Sequence, residues 1–253
     1  MTGAHLTGTL SEARFQIPQQ TGQTAFQRAF RTDKTLYEYY HAVDPERGQR
    51  FASAMAGHYN TPLDDPVESI YPFEKVREDA LIVDIGGGRG QHSIRLAEQY
   101  PKITFLVQDQ TNVVEPMQSA DLPESVTGRV KWQVHNLYSP QPVQGADVYV
   151  LSHVLMDNQS STCADILRHT AKAMRPGRSR ILIHDFVDPE RGESASRLLN
   201  ELDFHMLASL NCVSKPLAVW KEILHKADPR LQVKAIYQGS KNAAVFEVTL
   251  AGS

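Results

Sequence analysis

Residues 80–91 read ALIVDIGGGRGQ: a short apolar run broken by one acid, then a cluster of glycines. A strand with one wet face alternates apolar and polar residues. This run does not alternate, so it is read as a strand covered on both faces, the condition of a parallel sheet flanked by helices. The same alternation of strand and helix continues downstream. GQHSIRLAEQYP reads as a helix, ITFLVQD as a strand, and a helix follows from about residue 112. VKWQVHNL, ADVYVLSHV and RILIHDF are three more strand candidates, with the helix STCADILRHTAKAMRPG between the last two, ended by Pro-Gly. Helices over about 194–211 and 216–225 come next, the second with proline at its start. LQVKAIYQGSKNAAVFEVTLA closes the chain as two strand-like runs around a Gly-Ser-Lys-Asn turn. The expectation is an α/β fold: a doubly wound, mostly parallel, seven-stranded Rossmann-like sheet with an antiparallel C-terminal hairpin.

Upstream, residues 1–23 are polar and are expected to be a loose tail. Residues 24–75 are expected to form a helical cap, and 76–253 the sheet domain. In the cap, Phe26, Phe30, Leu36, Tyr37 and Tyr40 give an aromatic-rich face that Thr32 and Asp33 divide or leave whole. Phe51, Met55 and Tyr59 form one helical stripe. NTPLDDPVESIYP then breaks the helical pattern with three prolines.

Composition excludes several classes. A net charge of −3 with no Lys/Arg run argues against nucleic acid or an anionic membrane as partner. Two cysteines, Cys163 and Cys212, make no disulfide framework, and no metal-ligand spacing occurs, so no metal is expected. No apolar run approaches the ~20 residues a membrane span needs. The N-terminus lacks the basic start and apolar run of a signal peptide. A cytoplasmic protein is expected.

The glycine loop carries the first chemistry. Gly86, Gly88 and Gly90 permit tight turns and close approach of a ligand to backbone. The spacing differs from that of pyrophosphate-binding loops. Asp84, just ahead, would repel a phosphate and suits a cationic or amino-bearing ligand. Asp109, at the end of the next strand, is placed to take both hydroxyls of a ribose. Together these residues point to a nucleoside-bearing cofactor.

VDIGGGRGQHSIRLAEQYPKITFLVQD resembles the cofactor motif of class I S-adenosylmethionine-dependent methyltransferases. HNLYSPQPVQGADVYVLSHVLMDN and PGRSRILIHDF resemble the O-methyltransferases of plant and fungal secondary metabolism. The resemblance runs from about residue 24 to the C-terminus. It implies S-adenosyl-L-methionine as cofactor, with Asp84, Gly86, Gly87 and Gly88 around its methionine part. It puts Asp109 at the ribose and Asn136 and Leu137 at the adenine, with Gln110 also among the cofactor-binding residues. The family usually has Asp where this chain has Asn136, and Lys or Arg where it has Ser152, which is likewise expected at the cofactor. Family members usually carry an N-terminal helical dimerisation domain that this sequence does not show, so a monomer or weak dimer is expected.

In that family the loop after the fourth strand usually reads His-Asp-Trp, and the His takes the proton of the acceptor hydroxyl. Here those positions hold Met156, Asp157 and Asn158. A thioether takes no proton at neutral pH. Of the two acids that flank the family's His, Asp185 matches the first, and the second falls near Ser214. Three readings compete: an O-methyltransferase acting on a small-molecule hydroxyl, a non-methylating enzyme (dehydratase, isomerase or pericyclase) on the same fold, and a non-catalytic binding partner. His205 and Asp185 are the candidate replacement catalytic groups. His153 is favoured as structural, and His184 is expected to face away from the side on which Asp185 works. His92, His135 and His169 read as surface or packing residues. Tyr40, Phe51, Met55, Met156, Met206 and Leu210 are expected to line an apolar acceptor pocket suited to a terpenoid or polyketide.

Overall fold

The computed structural model describes residues 1–18, 23–58, 65–188, 197–240 and 243–252. Tyr59, the following proline-containing stretch to residue 64, the start of the helix expected from 194, and Lys241 and Asn242 of the C-terminal turn lie outside the described residues.

The N-terminal segment is not a loose tail. A helical turn, Thr2–His5, leads into α1, Leu6–Glu12. Leu6 and Leu10, four apart and so on one helix face, pack with Ala25 and with Ala208 of a distant helix. The cap then begins twice with the same device. Thr24 and Gln27 form a capping box ahead of α2, Ala25–Phe30, and Thr35 and Glu38 form one ahead of α3, Leu36–Ala42. Arg31, at φ 51°, ends α2, which is why the aromatic face is divided. Phe26 stacks on Phe30 and meets Tyr39 and Tyr40 edge-on. Helix α4, Pro45–His58, brings Phe51 against Tyr37 and Tyr40.

Short α5, Val67–Ile70, precedes β1, Leu81–Ile85. The sheet domain continues through α6 (Gln91–Gln99), β2 (Thr104–Asp109), α7 (Thr111–Gln118), β3 (Val130–Val134) and β4 (Val148–Ser152). A helical turn, Leu155–Asp157, leads to α8 (Ser160–Ala173) and β5 (Arg180–Asp188). Then come α9 (Arg197–Leu210), β6 (Lys215–Pro216), α10 (Leu217–Ala227), β7 (Leu231–Gln238) and β8 (Ala243–Leu250).

The strand order is β3-β2-β1-β4-β5-β8-β7, parallel except for β8, which runs antiparallel to both neighbours. One short strand was not expected: β6 pairs with the end of β5, Val187 opposite Lys215. The period-2 alternation of the central strands divides the core. Tyr149, Leu151, Ile181 and Ile183 pack with Ile166 and Leu167 of α8 and Trp220 of α10. Val148, Val150 and Leu182 pack on the other face with Leu96 and Ala97 of α6. Strand order reverses between β1 and β4, and at that switch point the carboxyl ends of the strands open a crevice. Among the described residues no helix is long and apolar enough to cross a membrane.

Candidate active site

The glycine loop is folded by β2. The amides of Gly86 and Gly87 both donate to the Gln108 carbonyl, at 2.7 and 3.3 Å. Gly86, Gly88 and Gly90 all have positive φ (70°, 60° and 77°), where a side chain is strained. A Cβ at Gly87 would lie 2.4 Å from the Asp84 carboxyl carbon. Asp84 is 3% exposed. Its Oδ2 accepts from the Ser93 hydroxyl at 2.8 Å, while its Oδ1 is buried without a hydrogen-bond partner among the described residues. Burial raises its pKa. An orphaned buried carboxylate oxygen asks for a donor, and a ligand ammonium answers it. Asp109 accepts from the Gly88 amide at 2.9 Å and from the Gln110 amide at 2.7 Å. Burial again raises its pKa, and the two amides oppose the rise. Gln110 is exposed beside it. Asn136 is exposed and caps a turn by accepting from the Tyr138 amide, while Leu137 packs half-buried on the core. These residues fit a cofactor with an amino-acid end and a ribose.

The loop after β4 is held by four side chains from elsewhere in the chain. The Met156 amide donates to Asp185 Oδ2 at 3.0 Å, and the Phe186 amide to its Oδ1 at 3.1 Å. The Tyr37 hydroxyl, from cap helix α3, donates to Asp157. Tyr138 donates its hydroxyl to Asn158 Oδ1 at 3.0 Å. Lys215, 7% exposed on β6, reaches the Leu155 carbonyl at 3.3 Å. Burial pushes the Asp157 carboxyl up to about 7, against the hydrogen bond from Tyr37, and the Asp185 charge adds to the rise. Burial likewise pushes Asp185 up to about 6, with His153 and Lys215 opposing it. The Tyr37 phenol is raised by burial and by Asp157, so at neutral pH it is a donor. Met156, Met206 and Leu210 do come together, in an apolar cluster with Phe186, Leu199 and Ala243.

Beneath this loop lies a buried polar chain. Ser152 Oγ is 2.8 Å from His184 Nδ1 and 3.4 Å from His92 Nε2. His92 Nδ1 is 2.7 Å from Glu68, which also binds Arg95. His184 thus faces away from the Asp185 side, as strand alternation requires. Ser152, expected at the cofactor, lies instead in this chain, because its short hydroxyl is 7% exposed and engaged by imidazoles.

Further expectations are corrected. His205 is exposed on α9, while Met206 next to it is buried. The 100° step between helix neighbours separates them, and His205 does not join the carboxylates. Met55 is 42% exposed and takes no part in the apolar cluster of Met156 and Met206. Tyr40 packs within the cap on Phe26 and Phe51, and it is Tyr37, one turn earlier, that reaches the site. Of the two expectations for His92, surface or packing, the second holds, since it is a buried member of the polar chain. An acid does stand at Ser214: Asp203 of α9 accepts from the Ser214 amide at 2.6 Å and its hydroxyl at 2.7 Å. Asp157 and Lys215 were missed as site residues, and Tyr37 was read only as one of the cap's aromatics, not as a partner of the loop. Asp157 had a signal, since the resemblance sets it beside Met156 in the loop after the fourth strand. Tyr37 and Lys215 had none, since each arrives by a contact more than 50 residues distant along the chain.

The profile of the O-methyltransferase domain matches residues 9–228. The O-methyltransferase xanE of Aspergillus fumigatus is 38% identical over 252 residues, which are 98% of this chain and 58% of that protein. The chain therefore spans little more than half the length of that relative. A solved structure described as a pericyclic reaction enzyme superposes with a TM-score of 0.82 at 31% identity, covering 98% of this chain and 63% of its own. LepI in complex with S-adenosylmethionine superposes with a TM-score of 0.83, at the same identity and coverage.

Proposed function

The chain belongs to the O-methyltransferase domain family, and from that premise we propose that it binds S-adenosyl-L-methionine and methylates a hydroxyl of a small, largely apolar secondary metabolite, a terpenoid or polyketide. The observation that carries the reading is the buried Oδ1 of Asp84, without a hydrogen-bond partner among the described residues, beside Gly87, whose Cβ would collide with that carboxyl. Asp84 holds the amino group of the methionine part. Asp109 takes the ribose hydroxyls, and Asn136 with Leu137 borders the adenine. When bound, the cofactor supplies an electrophilic methyl group on a sulfonium. The chain's own part is to hold the acceptor in line with it and to exclude water, which accounts for much of the rate of such transfers. The cluster of Met156, Phe186, Leu199 and Met206 offers the acceptor an apolar surface, and Asp185 orders the loop over it. Calorimetry with S-adenosylmethionine and S-adenosylhomocysteine tests the first half of the proposal. Transfer of labelled methyl to an acceptor tests the second. Absence of binding to the wild-type protein would overturn both.

One observation favours a second reading. Met156 stands where the family's base stands, and a neighbour at 31% identity is described as a pericyclic reaction enzyme. A rearrangement of the substrate needs an enclosed, polarised site and no methyl transfer. Product formed while the label stays on the cofactor would select it.

A further inference from the structure

We propose that His153, oriented by Asp185, takes the proton that residue 156 cannot, so that the imidazole missing from the loop is supplied from the end of β4. The inference rests on the O-methyl-transfer reading above.

Four independent features of the structure meet at His153. Its backbone sits at φ 53°, directly after the last residue of β4. Few non-glycine residues adopt that region, and such conformations gather at functional sites. The conformation is held by the His153 amide, which donates to the His184 carbonyl at 2.8 Å. Its Nδ1 lies 3.9 Å from Asp185 Oδ1. That is longer than a hydrogen bond, in the range from which catalytic pairs close when substrate binds. Its ring stacks on Phe186 at 4.9 Å and 30°, and Phe186 belongs to the same apolar cluster as Met156 and Met206. Finally, the His153 side chain is 13% exposed while Asp185 is 0% exposed, so the imidazole has the open edge and the carboxylate stands behind it. This is the order of base and orienting acid in histidine-based catalysis.

The neighbouring carboxylates are committed elsewhere. Asp185 receives the amides of Met156 and Phe186, and Asp157 receives the Tyr37 hydroxyl. Among the described residues, the groups facing His153 include Asp185, His184 and Phe186 of β5 and Asp157 of the loop, with Lys215 of β6 facing both carboxylates. In the step itself the acceptor oxygen bonds to the methyl carbon as the carbon–sulfur bond breaks. The hydroxyl proton passes to the imidazole, and the sulfur keeps the bonding pair as a neutral thioether. Bulk water later removes the proton from the imidazolium.

The test uses His153→Asn and His153→Gly, two residues that tolerate a positive φ, together with Asp185→Asn. The first readout needs no acceptor: NMR titration of the labelled His153 ring in protein loaded with S-adenosylhomocysteine. In Asp185→Asn the midpoint should fall by at least about half a unit, because a facing negative charge is lost. An unchanged midpoint overturns the pair. The second readout is single-turnover transfer of labelled methyl to 1-naphthol across pH. His153→Gly should lose roughly 10²-fold in rate at unchanged cofactor affinity, and added imidazole should restore part of it. The low-pH limb should vanish in His153→Asn. Variants within about threefold of wild type, with the same pH limb, overturn the proposal. A wild type that leaves all label on the cofactor overturns the methyl-transfer reading instead, and the titration then decides the pair by itself.

Discussion

The backbone amide of Met156 donates to the Asp185 carboxylate across 3.0 Å. Asp185, near the carboxyl end of β5, thus holds the loop's backbone, where resemblance to the family would have it flank an imidazole side chain. The thioether of Met156 is left to pack against Phe186 and Met206.

Met156→Leu should therefore be nearly silent. The two side chains have similar volume, and such exchanges usually cost under ~1.5 kcal/mol. Met156→Ala should cost about 2–5 kcal/mol by opening a cavity in the cluster. Urea denaturation of both variants checks this, and equal losses would show that residue 156 is not packed as described.

Cofactor affinity should depend on Asp109 and on the glycines. Asp109→Ala should weaken S-adenosylhomocysteine by about 2–4 kcal/mol, through the lost charge-assisted bonds. Gly87→Ala should abolish binding, since its Cβ would lie 2.4 Å from the Asp84 carboxyl carbon. Calorimetry reads both.

Stability should fall as pH rises from about 4 to 7. Asp157 is pushed up to about 7 and Asp185 to about 6. Between the unfolded carboxylate value and those values the native state holds more protons than the unfolded chain, so raising the pH favours unfolding. Above about 7 the contribution is flat. Asp157→Asn should remove part of the slope and gain on the order of 1–3 kcal/mol at pH 8 relative to wild type. Urea midpoints from pH 4 to 8 measure it, and parallel curves for the two proteins would contradict the assignment.

Tyr37→Phe should loosen the cap. The hydroxyl joins α3 to the loop after β4, across 120 positions of sequence. Its loss leaves an enclosed carboxylate short of a donor, at a cost of about 1–3 kcal/mol. Hydrogen exchange should rise in residues 36–42 and in the loop 155–158 while the central strands stay protected.

His205→Ala should leave turnover and stability close to wild type, because the side chain is exposed and exposed sites of this kind usually shift stability by less than ~0.5 kcal/mol. A large loss of single-turnover rate would restore His205 as a catalytic candidate.

The sequence by itself determined the parts whose cause is local. The unbroken apolar run of β1, the glycines after it and the acid ending β2 are short-range patterns, and each maps onto one strand end or turn. Strand–helix alternation yielded the parallel sheet, since short connections leave few other topologies. The two capping boxes that start α2 and α3 are equally local, each within four residues. Helix α1 escaped notice because its few apolar residues pack on partners outside the helix, Ala25 and the distant Ala208. What the tertiary structure alone decided is the chemistry at the crevice. Side-chain alternation turned His184 toward Ser152 and His92 while Asp185 turned the other way. The unforeseen pairing of β6 with β5 brought Lys215 beside two carboxylates. Helix rotation left His205 in solvent and carried Asp203 to Ser214. The physical reason is range. Backbone propensity and hydrophobic period act over a few residues and are written along the chain. The partners of a buried charge are chosen by packing, which brings together residues more than a hundred positions apart.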